Sequence, residues 1–312
     1  MYILFSKYNR TRRPKFATCT SILEKEDSKN QASTRFISKS ALYEEGLPHI
    51  ASFADKYKQL SKIYKNAAIV PVSMENDRAF FPFIEGVAAS TKIEAELHHL
   101  PDAVKKLNEF LDHVGDYHKE YVVEFEETEA FKEIFGRLDY VGAAAIGANI
   151  DEIPDNFFVT SEGLTLIDYE WVFSFPVPLR YIRFRSVYYF YVKHQSLIQR
   201  QSPEADNPNS DGGEAWFLEL FGFDPEETAK WKQMEAQFQD FVHGPSHQHL
   251  YSTRYEQTIH DVNSFLNVVP DVAGEYNHLM NERQQLIDTL QLNHYIKHLW
   301  GLFKNRLHRS HK

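Results

Sequence analysis

Asp151 and Asn156 stand five residues apart in NIDEIPDN, on a segment that Pro154 keeps out of regular helix. Twelve residues after Asn156, an apolar stretch ends on Asp168. Between them, FFVTSEGLTLI reads as a hairpin: an apolar strand, a Ser-Glu-Gly turn and a second apolar strand. One carboxylate can orient or deprotonate a hydroxyl, while an amide and a second carboxylate hold a divalent cation against phosphate oxygens. Phosphoryl transfer from ATP to an alcohol needs that set. Taken alone, Asp, Pro and Asn also make caps and turns, and an acid at a strand end is often simply solvated. Lys39, in FISKSAL far upstream, adds a cation to the set, although a lysine there also suits an exposed strand.

Positioning such groups requires a scaffold, and the hydrophobic pattern supplies its outline. YILFSKYN, KFATCTSILE and STRFISKSAL read as three strands within residues 2–40. From Tyr43 to Tyr64 the spacing turns helical, with Ile50, Phe53, Tyr57, Leu60 and Ile63 on one stripe and the regular part starting near Pro48. AAIVPVSMENDRAFFPFIEG gives two more strands around a polar turn, Glu75 to Asp77. Residues 94–135 read as helical, with Leu97, Leu100, Val104, Leu107, Leu111 and Val114 at near-heptad intervals. Beyond Trp171 the chain reads as mainly helical, interrupted by the polar loop QSPEADNPNSDGGE, and residues 274–312 read as terminal helices.

Bulk properties exclude several classes. A net charge of −10 argues against nucleic-acid binding, which wants a broad basic face. The single cysteine, Cys19, makes no internal disulfide and points to a reducing, cytoplasmic setting. The first residues do not read as a secretory leader, and no apolar run is long enough to span a bilayer. His98 with His99, and His243, His247 and His249, lack an acid at metal spacing, and no serine, Ser161 included, sits in a nucleophile elbow.

LTLIDYEW, with its apolar strand ending in Ile-Asp-x-Glu, resembles the protein-kinase-like superfamily, in particular the aminoglycoside phosphotransferase and choline kinase branch. More narrowly, NIDEIPDNFFV with IDYEWVFSFPVPLRYIRFR looks like the kinase-like domain associated with bacterial glycosyltransferases of surface-polysaccharide synthesis. The resemblance covers roughly residues 1–200. It implies an α+β, two-lobed fold: an antiparallel-sheet N-lobe over residues 1–85, a mainly helical C-lobe over 86–273 and a helical extension over 274–312. It further implies ATP and Mg2+ as cofactors and a hydroxyl of a small molecule or glycan as acceptor. Residue by residue, it makes Asp151 the catalytic base, Asn156 and Asp168 metal ligands, and Glu170 an additional metal or acceptor contact. Lys39 matches the lysine that steadies the α- and β-phosphates, with Glu45 (or Glu44) as its ion-pair partner. Backbone groups from Phe83 to Glu85 match the hinge that bonds the adenine edge.

Two departures from that pattern stand out. Asn149 replaces the His or Tyr two residues before the catalytic Asp, and an amide there can still brace the loop. The first hairpin has no glycine-rich phosphate loop; its tip offers Arg10, Arg12 and Arg13, whose guanidinium groups can contact phosphates. No Ala-Pro-Glu-like segment follows Asp168, which disfavours a protein acceptor. Arg180, Arg183 and Arg185 either line the acceptor pocket or pack the helical lobe.

The last twenty residues, NHYIKHLWGLFKNRLHRSHK, carry five Lys or Arg and no acid beside a broad apolar stripe. Such a helix suits an anionic membrane surface or a protein partner, and equally its own core. The competing functional reading is therefore a non-catalytic kinase-like scaffold, docked to glycosyltransferases at the inner face of the membrane through residues 293–312.

Overall fold

β-rich runs at the start of the chain pair with their sequence neighbours. In the computed structural model, which describes residues 2–26, 33–64, 68–161, 163–203 and 213–244, β1 (Tyr2–Tyr8), β2 (Thr18–Glu26) and β3 (Ser33–Ala41) form an antiparallel meander. Gly46 and Pro48 then delay the helix: a 3-10 turn (Glu44–Gly46) precedes α1 (Leu47–Ala51) and α2 (Phe53–Ile63). After β4 (Ala68–Ile69), β5 (Ser73–Glu75) and β6 (Arg78–Pro82) close a tight hairpin. Asn76 and Asp77 take φ values of 47° and 60°, the left-handed pair that a two-residue turn needs to follow the strand twist. The sheet order is β1-β2-β3-β6-β5, so β3 is central and Lys39 is paired on both sides, to Thr20 and Ala79.

The rest of the described chain is mainly helical. It contains β7 (Val87–Ala88), α3 (Ala89–Glu94), α4 (Leu100–His118), β8 (Val122–Glu124), α5 (Glu129–Phe135) and β9 (Ala143–Ile146). β10 (Phe157–Thr160) and β11 (Gly163–Leu166) follow, then β12 (Pro176–Pro178), α6 (Leu179–Gln199), α7 (Glu214–Glu219) and α8 (Pro225–His243). The expectation of helix throughout 94–135 is corrected here: Val122 and Val123 lie in a strand paired to β9, which pairs in turn with β12. The helical stripe stops at Val114, and the β-branched valines suit a pleated surface better than a continuing helix. The arrangement is a kinase-like two-lobed α+β fold, an antiparallel-sheet lobe beside a mainly helical one.

A four-stranded sheet, β4-β11-β10-β7, carries the hairpin between Asn156 and Asp168. β4 precedes the link between lobes in sequence but pairs parallel to β11, so the chain crosses to the second lobe's sheet before returning for β5 and β6. The link itself passes close to β10: a Cβ at Gly86 would stand 2.9 Å from the Val159 carbonyl oxygen, closer than side chains tolerate. Gly86→Ala is accordingly expected to destabilise the chain by about 1–3 kcal/mol in denaturant unfolding, the usual cost of overpacking. Phe53, Phe81 and Tyr169 meet edge-to-face at 5.5–6.0 Å and join helix, sheet and hairpin end in one core. These described residues fall in one unit, Met1–Ser252. A second unit, Thr253–Lys312, lies outside the described residues, as do the expected boundary at 273/274 and the basic terminal segment.

Candidate functional site

β3 is buried where it packs against α1, which leaves Lys39 only 7% exposed with its ammonium group among carboxylates. Lys39 Nζ lies 2.9 Å from both Asp168 oxygens and 3.6 Å from Glu170 Oε2. Burial works against a charged lysine, but Asp168 and Glu170 outweigh it and hold the Lys39 pKa above its ordinary value. The core places Asp168 there: its neighbour Tyr169 is fully buried and donates its hydroxyl to the Val70 carbonyl at 2.9 Å. That bond ties the end of the hairpin to the end of β4.

The expected partner for Lys39, Glu45, is not the one the structure provides. Glu45 lies exposed in the 3-10 turn before α1 because Gly46 and Pro48 hold off the helix, and Glu44 is exposed there too. The inward-facing position falls instead to His49 on α1, whose Nε2 lies 2.8 Å from Glu170 Oε1. Arg12 Nη1 lies 2.6 Å from the same oxygen, and Lys56 Nζ donates to the Glu170 carbonyl at 2.5 Å. Burial alone would raise the Glu170 pKa, yet Lys39, Arg12 and His49 hold it well below the carboxylate range. Lys56 is pushed down to about 8 by burial, with Glu170 opposing and Lys39 assisting. Glu170 is thus a buried junction of cations, with little of its carboxylate open to a metal.

Asn149 performs the bracing that its place in the sequence suggests. It is fully buried, donates to the Asp168 carbonyl at 3.0 Å and accepts from the Asp151 amide at 3.2 Å. Asn156 Nδ2 donates to the Asp151 carbonyl at 3.0 Å, which fixes the amide plane. Asn156 Oδ1 has no hydrogen-bond partner among the described residues, so a hard acceptor remains beside the Asp168 carboxylate. Asp151 is held from behind by Arg185 Nη2 at 2.7 Å, while Arg185 Nη1 bonds Glu235 at 2.8 Å. Burial raises the Asp151 pKa to about 6, against the pull of Arg185. Sequence reasoning left Arg185 undecided; the available signal was its i−4 and i+4 neighbours Tyr181 and Tyr189, both hydrogen-bonded to Glu235 from the same helix face. Arg180 and Arg183 instead pair with Glu227 and Asp112.

Two cavities meet at Asn156 and Asp168. One, of about 250 Å3, lies between the lobes, with Ile37, Val70, Phe81 and Ile167 as apolar walls and Lys39 and Asp168 at one end. Phe83 and Ile84 border it, while the Glu85 side chain is exposed and not among its lining residues. The Phe83 amide is committed to the Arg35 carbonyl at 3.3 Å, whereas the Ile84 amide has no partner among the described residues. The other cavity, of about 240 Å3, is polar and includes Arg12, Asp151, Glu170, Arg185 and Gln239. The arginine-rich turn after β1 does not stand free above either space. The Arg13 amide donates to the Val242 carbonyl at 2.9 Å, and His243 Nδ1 lies 3.0 Å from the Thr11 carbonyl.

Behind the loop, Glu152 is 2% exposed and lies 2.8 Å from His118 Nε2, and it also accepts from the Tyr64 hydroxyl. Burial opposes charge on His118, but Glu152 prevails and raises the imidazole pKa above its ordinary 6.5. A raised folded-state pKa stabilises fully below the unfolded value and is lost as pH rises through the folded one. Stability is therefore expected to decline as pH rises above the ordinary imidazole range and through the raised His118 value in the parent chain, and to decline less in His118→Gln, as measured by urea unfolding.

No family model matches the sequence, and no curated protein matches it. Among solved structures, it is similar to choline kinase LicA from Streptococcus pneumoniae, at 14% identity and TM-score 0.37 over 82% of this chain and 90% of that one. It is also similar to macrolide 2'-phosphotransferase MphH from Brachybacterium faecium, at 10% identity and TM-score 0.33 over 74% and 86% of the two chains. A third similar structure is ethanolamine kinase from Plasmodium vivax, at 13% identity and TM-score 0.29 over 76% and 72%.

Proposed function

We propose that this chain is an ATP- and Mg2+-dependent phosphotransferase that acts on a hydroxyl of a small molecule or glycan. One observation carries the reading: Lys39 and Asp168 meet at 2.9 Å at the end of an apolar slot, and Asp168 and Asn156 also line the polar cavity that holds Asp151. The slot suits a purine, with the free Ile84 amide at its edge. Lys39, charged despite burial, would hold phosphate oxygens; Arg12 offers a second cation at the boundary with the polar cavity.

The donor set fits magnesium. Mg2+ takes one or two protein oxygens and completes its shell with phosphates and water, and Asp168 with Asn156 Oδ1 offers that much. Among the described residues no group of three or more His, Cys, Asp or Glu could hold a metal by itself, so phosphate would be part of the site. When bound, the ion supplies charge neutralisation at the transferring phosphoryl group. The remaining work belongs to the chain. Asp151, fixed by Asn149 and Arg185, would accept the proton of the acceptor hydroxyl, and a carboxyl poised near 6 is well matched to that task.

The reading extends to a role in bacterial cell-surface polysaccharide metabolism, at the cytoplasmic face of the membrane and beside glycosyltransferases. The motif resemblance supports this, and residues 293–312, with their basic apolar pattern, would provide the contact. Among the described residues no helix is long and apolar enough to cross a membrane.

The competing reading, a non-catalytic scaffold, draws support from one feature: the turn after β1 lacks glycines and is bonded to α8, so it does not close over phosphates as a flexible loop does. Two measurements decide. The melting temperature of the full chain should rise with MgATP and not with MgCl2 alone; no rise sinks the nucleotide reading. ATP turnover with a supplied acceptor then separates an enzyme from a nucleotide-binding scaffold.

A further inference from the structure

The polar cavity beside Asp151 is where an acceptor alcohol would sit, and its aromatic walls are already covered. Trp171, Tyr189 and Phe238 line it. The Arg12 guanidinium lies 5.6 Å from the Trp171 ring centre. Arg185 lies 5.2 Å from that of Tyr189 and 5.1 Å from that of Phe238. Each ring that could cradle a cationic ligand thus carries one of the protein's own cations.

Those cations are anchored. The Arg12 side chain is 17% exposed and bonded to Glu170; that of Arg185 is 4% exposed and bridges Asp151 and Glu235. Of the carboxylates lining the cavity, Glu170 and Asp151 each have a guanidinium on them, at 2.6 and 2.7 Å, and Asp168 holds the Lys39 ammonium at 2.9 Å. Displacing either arginine would leave a buried charge unpaired, a larger loss than an exposed ammonium could offset.

What the cavity still offers is hydrogen bonding. Gln239 Nε2 is engaged with Tyr189 and Glu235, while its Oε1 has no partner among the described residues, as is true of Asn156 Oδ1. Guanidinium donors and amide acceptors side by side suit hydroxyl groups, each of which can give and take a bond. At about 240 Å3 the space lies below the usual range for drug-sized ligands and suits roughly one sugar ring.

We infer that the acceptor is an uncharged polyol of about one sugar ring in size, and that Arg12 and Arg185 exclude alcohols bearing an ammonium group. The inference rests on the phosphotransferase reading. The acceptor oxygen forms a bond to the γ-phosphorus, the bond from that phosphorus to the β-phosphate oxygen breaks, the hydroxyl proton passes to Asp151, and ADP leaves.

The test is ADP release by the full chain with MgATP, using two acceptor sets at equal concentration. One set is choline and ethanolamine; the other is glucose, galactose, ribose, N-acetylglucosamine and glycerol. The expected result is release at least about tenfold above the acceptor-free rate with a member of the second set, and none above it with the first. Turnover of choline or ethanolamine overturns the inference. So does a chain that shifts its melting temperature with MgATP yet responds to no member of the uncharged set. A chain with no MgATP shift fails the phosphotransferase reading itself and takes this inference down with it, and the melting curve tells the two failures apart.

Discussion

Asp168→Ala is expected to abolish the MgATP-induced rise in melting temperature. In the parent, Asp168 fixes Lys39 at 2.9 Å and, on the proposed reading, would contribute the carboxylate of the metal site, so one truncation would remove an oxygen ligand and free the ammonium proposed to hold phosphate. A ligand present at about a hundred times its Kd stabilises a protein by about 2.7 kcal/mol. For a chain of this size that is a shift of roughly 4 °C, well above measurement error. The variant should show no more than about a degree of it. The apo protein should also melt lower, because the buried Lys39 ammonium is left with Glu170 alone at 3.6 Å. A variant that keeps the full MgATP shift would remove Asp168 from the site.

Asp151→Asn separates binding from chemistry. The amide keeps an oxygen for Arg185, and Asn149 and Asn156 hold the loop through its backbone and not through this side chain. The MgATP shift should therefore persist nearly unchanged. Turnover should fall by about 10²–10⁴, the usual contribution of a positioned general base. If ADP release with a working acceptor stays within about threefold of the parent, Asp151 is not the base.

The strands and the Asp151-Asn156-Asp168 spacing were legible because they rest on short-range rules. β-rich runs separated by turn residues give hairpins, and a Ser-Glu-Gly turn between two apolar runs fixes the distance between Asn156 and Asp168. Lys39 was found for the same reason: it lies in a β-rich strand whose pairing keeps its place in the sheet. Glu45 was misplaced because the choice between 3-10 turn and helix at Gly46 decides which residue faces inward, and one turn of difference moves the inward position to His49. The sheet formed by β8, β9 and β12 escaped notice because its strands are three or four residues long and AAAI carries no period of its own. Arg185 was ambiguous because its partners, Asp151 and Glu235, are remote in sequence, and pairings across packed helices leave no local trace.

The bond from the Arg13 amide to the Val242 carbonyl, with His243 beside Thr11, has a kinetic consequence. A mobile glycine flap loses conformational freedom each time it folds over phosphates; a turn already latched to α8 would give up little, so on the phosphotransferase reading nucleotide would be held at small entropic cost. If nucleotide passes beneath this turn, entry and exit would depend on transient opening of the latch, and exchange of ADP for ATP would be the slow stage of each cycle.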